Sequence, residues 1–174
     1  MADRTRILTG DCTVEFEGTR DRTQRGHVVI LVKPDRTVLV HDADGYQPVA
    51  WLTRPDEVTV EHDSEGFSLT AAADGQQLSV SSHDAGGVES FPVSEAGVPV
   101  GDCPLCTGQL VRTRGEVSCL DCAEQYGLPS GATVLDSACP DCGLPQMRVE
   151  RGETFDLCVD YACESLSTAV RERL

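Results

Sequence analysis

Lysine and long apolar runs are what this sequence of 174 residues has least of. Lys33 is the only lysine, so nearly all of the 14 basic residues are arginines. No apolar run approaches the roughly 18 residues that cross a bilayer, and residues 1–10 have no apolar core of signal-peptide length. We therefore expect no membrane partner and a cytoplasmic protein whose thiols stay reduced.

Motifs for common enzyme chemistry are also missing. The chain contains no Gly-x-Gly-x-x-Gly sequence and no P-loop. Its four histidines are scattered, each on or beside an expected strand, so surface or packed positions are expected for them. They are His27, His41, His62 and His83.

Acidic residues are abundant, since 29 Asp and Glu accompany 14 basic residues and give a formal charge of −15. This acid-rich, lysine-poor composition is similar to that of proteins from salt-loving archaea, whose cytosol holds molar salt. An acidic surface there supplies hydration and solubility rather than recognition. The alternative is an ordinary acidic protein that happens to contain little lysine.

Residues 6–94 alternate apolar and polar side chains with the period of a β-strand. Cys12, for example, shares one side with Val14 and Phe16, which predicts a buried thiol. Turn sequences rich in Asp and Gly separate the short β-branched runs. We expect seven to nine antiparallel strands in a sandwich or open barrel over residues 1–97. The runs include residues 28–32, 37–40, 58–60, 67–70, 77–80 and 88–93.

Eight of the nine cysteines follow residue 100, in two groups of four. The first group has two Cys-x-x-Cys pairs separated by twelve residues, a spacing that lets four thiolates surround one Zn²⁺ ion. A redox pair is the alternative, but it would expect a thioredoxin-like βαβ context that is missing. We predict a C4 zinc ribbon with a central β-hairpin over residues 101–127. Its ligands are Cys103, Cys106, Cys119 and Cys122.

The second group lies within residues 136–174, after a linker at residues 98–101 and a break at residues 127–131. Four thiolates leave no open position on a zinc ion, so both sites are expected to be structural. Helical spacing near the end predicts a short C-terminal helix containing Leu166, Val170 and Leu174. The expected fold is mainly β, with two zinc ions. The second set of ligands is Cys139, Cys142, Cys158 and Cys163.

Residues 139–163 carry a longer pattern of Cys-Pro-x-Cys-Gly followed by Met, Arg, Arg-Gly, Phe, Cys, Tyr and Cys. This pattern resembles the C4 zinc finger repeated at the C-terminus of bacterial-type topoisomerase I. It departs from that family at Leu157, where Gly is usual, and at Ala162, where Pro often stands. The family's finger binds single-stranded DNA, through phosphate pairing and base stacking. The resemblance implies this role for Arg148, Arg151, Phe155 and Tyr161.

Two observations count against DNA binding by this segment. Phe155 can instead fill a small core over the metal, with Tyr161 packed beside it. Residues 101–174 carry six arginines against twelve acidic residues, and ionised zinc sites would add further negative charge. Such a surface should repel nucleic acid at low salt, whereas molar salt shortens the Debye length to about 3 Å and leaves only direct contacts important.

Residues 29–51 contain a β-hairpin pattern that ends in Gly-Tyr-x-Pro-x-x-Trp. They resemble the N-terminal domain of NucS/EndoMS-type endonucleases, and the likeness extends over about residues 6–95. In that family this domain dimerises and binds DNA through an aromatic residue and arginines on its concave face. The resemblance implies a homodimer and makes Trp51 and Tyr46 candidates for base stacking. A core position for Trp51, the only tryptophan, is the alternative.

Basic charge in this domain is concentrated in residues 1–33, where six basic residues face five acidic ones. A loop before the strand that begins at Val28 is expected to carry three arginines, which can contact phosphates or simply offset neighbouring acids. The family's strand arginine has no match, because the strand opens with His27. The loop arginines are Arg20, Arg22 and Arg25.

The nuclease of that family lies in a separate domain with an acidic pair and a Glu/Gln-x-Lys element that binds Mg²⁺. Here Leu31 stands two positions before the only lysine, Lys33, so we expect no such site and no enzyme. The first interpretation is a non-catalytic, zinc-containing protein that binds single-stranded or branched DNA and works with a repair or replication protein. The competing one is a zinc-ribbon adaptor that docks onto proteins without touching nucleic acid.

Overall fold

The computed structural model describes residues 3–164, and their regular structure is β. The described residues form fifteen strands in antiparallel sheets, which confirms the predicted mainly β class. The predicted C-terminal helix, with Leu166, Val170 and Leu174, lies outside the described residues. A search of the described part of the chain finds no helix that is both long and apolar enough to span a membrane.

The chain forms two compact units. The β unit, Ala2–Val93, contains eight strands. They are β1 (Asp3–Glu17), β2 (Arg22–Val32), β3 (Val38–His41), β4 (Ala50–Leu52), β5 (Glu57–His62), β6 (Phe67–Ala73), β7 (Gln76–Ser82) and β8 (Gly87–Val93). The cysteine unit, Ser94–Leu174, contains seven. They are β9 (Val98–Asp102), β10 (Gln109–Arg112), β11 (Glu116–Cys119), β12 (Gln125–Gly127), β13 (Thr133–Ala138), β14 (Pro145–Arg151) and β15 (Glu153–Cys158).

β1 is the central strand of the β unit and pairs with three others. One of its edges pairs with β2 along most of its length. Its other edge pairs first with β8 and then with β7, so the sheet runs β4-β3-β2-β1-β7-β6-β5 with β8 beside β1. β4, at one end of this order, lies against β6 and β7 near the other end. The sheet therefore curls into an open barrel, as the sequence predicts.

β1 changes partner at a turn that contains His83, Asp84 and Gly86. The backbone N–H of His83 donates to the carbonyl oxygen of Asp11 at 2.7 Å. The Asp84 carboxylate accepts a longer hydrogen bond, 3.3 Å, from the Asp11 N–H. Gly86 has a φ of +56°, and a Cβ atom there would lie 2.6 Å from the carbonyl oxygen of Thr9. Only glycine fits this turn without strain.

The inward side chains of the barrel form one apolar core. Cys12 is fully buried in it, as its alternation with Val14 predicts, and burial raises the pKa of the thiol to about 11. Removing this apolar surface from water is the main source of the unit's stability. The other buried members are Leu8, Val28, Ile30, Val32, Val38, Val40, Ala50, Leu52, Phe67, Leu69, Ala71, Leu78 and Val80.

The cysteine unit contains two small sheets, β12-β11-β10-β9 and β13-β14-β15. The hairpin predicted between the first two cysteine pairs is present as β10 and β11. Residues 98–101, expected to be a linker, instead belong to β9, which pairs with β10. Pro99 is tolerated there because the pairing with β10 is irregular between Leu110 and Val111.

The partner change of β1 yields a stability prediction based on Gly86. Gly86→Ala should destabilise the β unit more than Gly45→Ala, because Gly45 also has a positive φ, +71°, but has nothing near its Cβ position. We expect Gly45→Ala to cost about 1–2 kcal/mol from the backbone alone. The steric contact should add about 1–3 kcal/mol at Gly86. Urea unfolding followed by Trp51 fluorescence measures both values, and equal losses would contradict this account of the turn.

Candidate metal centres and candidate groove

The first four cysteines come together at the ends of the β10–β11 hairpin. Their sulfur atoms all lie within 4.8 Å of one another. The Sγ atoms of Cys106 and Cys119 are 3.4 Å apart, and those of Cys103 and Cys122 are 3.8 Å apart. The two Cys-x-x-Cys pairs therefore face each other across one small space.

Local backbone geometry turns the cysteines of this group inward. Thr107 follows the first pair with a φ of +61°, and its N–H donates to the Cys103 carbonyl at 2.8 Å. The N–H of Gly108 then points at the Cys106 sulfur, 3.4 Å away. A Cβ atom on Gly108 would lie 2.8 Å from Cβ of Asp121, so glycine is what lets the two loops approach.

The second group repeats this arrangement with one longer loop. Its four sulfurs also lie within 4.8 Å of one another. Cys142 and Cys158 are 3.4 Å apart, and Gly143, with a φ of +78°, occupies the place that Thr107 has in the first group. The N–H of Asp160 donates to the Cys158 sulfur at 3.4 Å.

Each group can hold one metal ion. Four metal–sulfur bonds of about 2.3 Å in a tetrahedron place the sulfurs about 3.8 Å apart, close to the separations found here. A disulfide would need a sulfur separation of about 2.05 Å, and none of the eight cysteines is in a disulfide. The backbone N–H groups that point at Cys106 and Cys158 would stabilise the charge of bound thiolates. Four protein ligands close the coordination sphere, which is typical of a structural site.

Individual thiols within the two groups differ in how readily they ionise. Hydrogen bonds from the backbone, first from Cys122 and then from Asp121, lower the pKa of the Cys119 thiol to about 7. Burial raises the pKa of the Cys142 thiol. Metal binding must displace the thiol protons, so affinity should fall as the pH is lowered.

Both groups are built into a single apolar core. Leu110 and Val117 of the first sheet and Met147 of the second are almost completely buried in the same cluster. Tyr126 and Leu157 pack against it from the two sides. The two cysteine groups therefore share one apolar core rather than having two separate cores.

In the β unit, an open groove of about 690 Å³ brings together Trp51, Arg20 and Arg22. Trp51 is 51% exposed on β4, so it is not a core residue. Arg20 lies in the bend between β1 and β2, whereas Arg22 begins β2. The groove forms where β4 approaches the β6–β7 hairpin, which contributes Ala73 and Gln76 to its wall.

Two other predicted residues of the β unit lie outside this groove. Arg25 is on β2, so the expected loop for Arg22 and Arg25 is wrong; their backbones pair with β1. The Arg25 guanidinium makes two hydrogen bonds to the Asp11 carboxylate, at 2.8 and 3.1 Å. Tyr46 is 87% exposed in the segment between β3 and β4 and does not line the groove.

The four candidates in the cysteine unit do not form one surface. Arg148 and Asp156 face each other across β14 and β15 with two hydrogen bonds of 2.7 Å. Phe155 pairs with buried Val149, which places it on the opposite, core-facing side of the hairpin, half-buried. Arg151 is exposed at the hairpin turn and Tyr161 is exposed between Cys158 and Cys163.

Sequence reasoning missed Arg54, which also lines the groove. The residue follows β4 with a φ of +47°, and its guanidinium Nε lies 3.5 Å from a carboxylate oxygen of Asp35. The sequence offered one signal for Arg54, its position three residues after Trp51. Residues 34–100 contain only one other arginine, Arg36.

Comparison with known families identifies the β unit. The model of the endonuclease NucS N-terminal PH-like domain matches residues 2–96, more than half of the chain. The chain belongs to this family. The resemblance of residues 29–51 to NucS/EndoMS-type endonucleases is thereby confirmed.

A curated relative is DNA topoisomerase 1 of Methanothermobacter thermautotrophicus, 40% identical over 82 residues. The match covers 42% of this chain but only 11% of the topoisomerase. This similarity confirms the resemblance to topoisomerase I that residues 139–163 indicate.

Three solved structures are more distantly similar. EndoMS in its dsDNA2 complex is 23% identical, with a TM-score of 0.46 over 53% of this chain and 39% of that chain. EndoMS in apo form is 23% identical, with a TM-score of 0.47 over 53% and 44%. A repair endonuclease from Pyrococcus abyssi is 18% identical, with a TM-score of 0.40 over 72% and 63%.

The cysteine geometry yields a prediction of metal content. The purified protein should contain about two metal ions per chain, and Cys119→Ala should retain at most about one. Cys12→Ala is the matched control, because it removes a buried thiol from the β unit and should leave the metal content unchanged. Elemental analysis gives the stoichiometry. Full metal content in Cys119→Ala would contradict the assignment.

Proposed function

We propose that the protein is a non-catalytic, zinc-containing DNA-binding protein whose β-unit groove takes a single strand. The matching family is named after an endonuclease, and the curated relative is a DNA topoisomerase. These names support DNA as the partner of this chain. The preference for a single strand and the choice of zinc rest on the chemistry of the groove and of the cysteine groups.

The groove is the observation that carries the proposal. In a chain with 29 acidic and 14 basic residues, it gathers the only tryptophan and three arginines, Arg20, Arg22 and Arg54. Guanidinium groups pair with phosphates, and an indole offers a face on which a base can stack. Asp56 and Asp74 also line the groove, so attraction depends on direct contacts rather than on a strong positive field.

The exposed tryptophan favours a single strand. Bases within a duplex are already stacked on their neighbours, whereas an unpaired base can stack on an aromatic side chain for about 1–3 kcal/mol. The groove is open and has a volume in the range of small-ligand sites, so it can receive a base that has left its stack.

Zinc is the metal that best suits the two cysteine groups. Four thiolates in a tetrahedron are the usual donor set of structural zinc, and soft sulfur ligands disfavour magnesium or calcium. The four residues of each group leave no position for a substrate or an activated water. Zinc would therefore organise the cysteine unit rather than perform chemistry.

We also propose that the protein is not catalytic, because of the position of its only lysine. A metal-dependent nuclease of the NucS type would need a lysine beside an acidic pair, and Lys33 lies in the turn between β2 and β3. Its backbone N–H donates to the Thr37 carbonyl at 2.9 Å.

The homodimer and the cytoplasmic location remain predictions.

A second candidate function is a protein-interaction adaptor. Leu105 and Leu120, each inside a Cys-x-x-Cys pair, are 70% and 52% exposed on the acidic cysteine unit. Exposed apolar residues are typical of sites that contact another protein. The pairing of Arg148 with Asp156 also leaves this unit with less free basic charge for DNA.

Titration with single-stranded DNA at low and at molar KCl tests the proposed function. Trp51 fluorescence should be quenched on binding, because Trp51 is the only tryptophan and lines the groove. In anisotropy with a labelled strand, Trp51→Ala should weaken binding by about 5- to 150-fold, equivalent to about 1–3 kcal/mol. Tyr46→Ala is the control and should change little, because Tyr46 lies outside the groove.

The alternatives give different results in the same experiment. No binding at either salt concentration would reject DNA binding and leave the adaptor. Binding that survives Trp51→Ala unchanged would place the DNA site elsewhere on the chain. Cleavage of the strand by purified protein with Mg²⁺ would overturn the non-catalytic assignment.

A further inference from the structure

Arg54 has a backbone conformation that is costly for a residue with a side chain. Its φ of +47° lies in the left-handed region, which few residues other than glycine adopt. The next residue is Pro55, which further restricts the conformation of the residue before it. Such strain persists only where surrounding structure enforces it, and it is commonly found at binding sites.

Neighbouring residues hold this conformation in place. The Arg54 N–H donates to Oγ1 of Thr37 at 3.2 Å, and Thr37 is itself only 7% exposed. Asp35 in turn accepts a hydrogen bond of 3.1 Å from the Thr37 N–H. Pro55, directly after Arg54, is fully buried. The backbone of Arg54 is thus fixed from both sides while its side chain reaches the groove.

The guanidinium of Arg54 is only weakly engaged by the protein. Its closest carboxylate oxygen, on Asp35, is 3.5 Å from Nε, and the side chain is 76% exposed. Within residues 3–164 the guanidinium has no other ion pair. By contrast, Arg25 and Arg148 each make two hydrogen bonds to a carboxylate. Arg54 therefore retains donors for a ligand.

Arg36 provides a comparison within the same unit. It also has a left-handed backbone, with a φ of +68°, but its guanidinium donates a hydrogen bond of 2.5 Å to the carbonyl oxygen of Asp56. The side chain of Arg36 thus has a partner within the protein, and it does not line the groove. The same backbone strain at Arg54 presents a guanidinium to an open groove.

We propose that Arg54 is a phosphate-contacting residue that determines DNA affinity, fixed in position by Thr37 and Asp35. Its guanidinium would pair with the phosphate next to the base that stacks on Trp51, and would leave the long Asp35 contact to do so. This inference rests on the proposed function, because it assumes that a DNA strand occupies the groove. It adds a specific role that the family resemblance does not assign.

Salt dependence of binding tests this role. For single-stranded DNA, each phosphate contact contributes about 0.7 to the slope of log affinity against log salt. Arg54→Gln should lower the slope by about that amount and weaken binding at low salt by about 5-fold or more. Arg4→Gln is the control and should leave the slope unchanged, because Arg4 hydrogen-bonds to Ser90 and does not line the groove. Competition with inorganic phosphate separates two kinds of site. If Arg54 belongs to a site for free phosphate, millimolar phosphate should displace the strand. If the site needs the strand, millimolar phosphate should leave the strand bound.

A second variant separates binding from folding. Arg54→Gly removes the guanidinium and also relieves the left-handed strain, so the urea midpoint should not fall although DNA affinity does. An unchanged slope in Arg54→Gln, in a protein whose binding still requires Trp51, would overturn the role of Arg54 and keep the proposed function. Wild-type protein that binds no strand at any salt would overturn both.

Discussion

The β unit depends on the pairing of β1, whose fifteen residues hold β2 on one edge and both β8 and β7 on the other. β-sheets twist and coil, and here the sheet curls far enough for β4 to contact β6 and β7. The groove lies at this meeting point. Trp51, Arg20 and Arg22 therefore share one groove because the sheet closes on itself.

The arginines of the groove are notable because the chain as a whole is strongly acidic. Elsewhere, Arg25 and Arg148 are matched to carboxylates, Arg4 bonds to Ser90, and Arg36 bonds to a carbonyl. In a chain of charge −15, the protein's own carboxylates readily pair with guanidinium groups. In the groove, Arg54 has only a contact of 3.5 Å with Asp35, and Arg22 donates to the carbonyl oxygen of Val49 at 3.4 Å.

Periodicity and spacing predicted much of the fold because both reflect short-range rules. Alternation located the strands of the barrel, and the spacing of the cysteines predicted both groups of four. β2 was expected to begin at Val28 because residues 22–27 are polar, yet their backbones pair with β1 regardless of their side chains. The groove could not be predicted, since it joins residues from five strands through a closure that no local pattern encodes. Arg54 was missed for the same reason: its conformation depends on Thr37, seventeen positions earlier.

The apolar core that the two cysteine groups share limits where the cysteine unit can be divided. Leu110 and Val117 are covered by Leu144 and Met147, so a break at residues 128–132 would open an apolar surface on each fragment. Each fragment would lose buried apolar area, so its stability would depend more heavily on the metal–thiolate bonds. The two cysteine groups should accordingly unfold together, because the loss of either sheet exposes the apolar residues of the other.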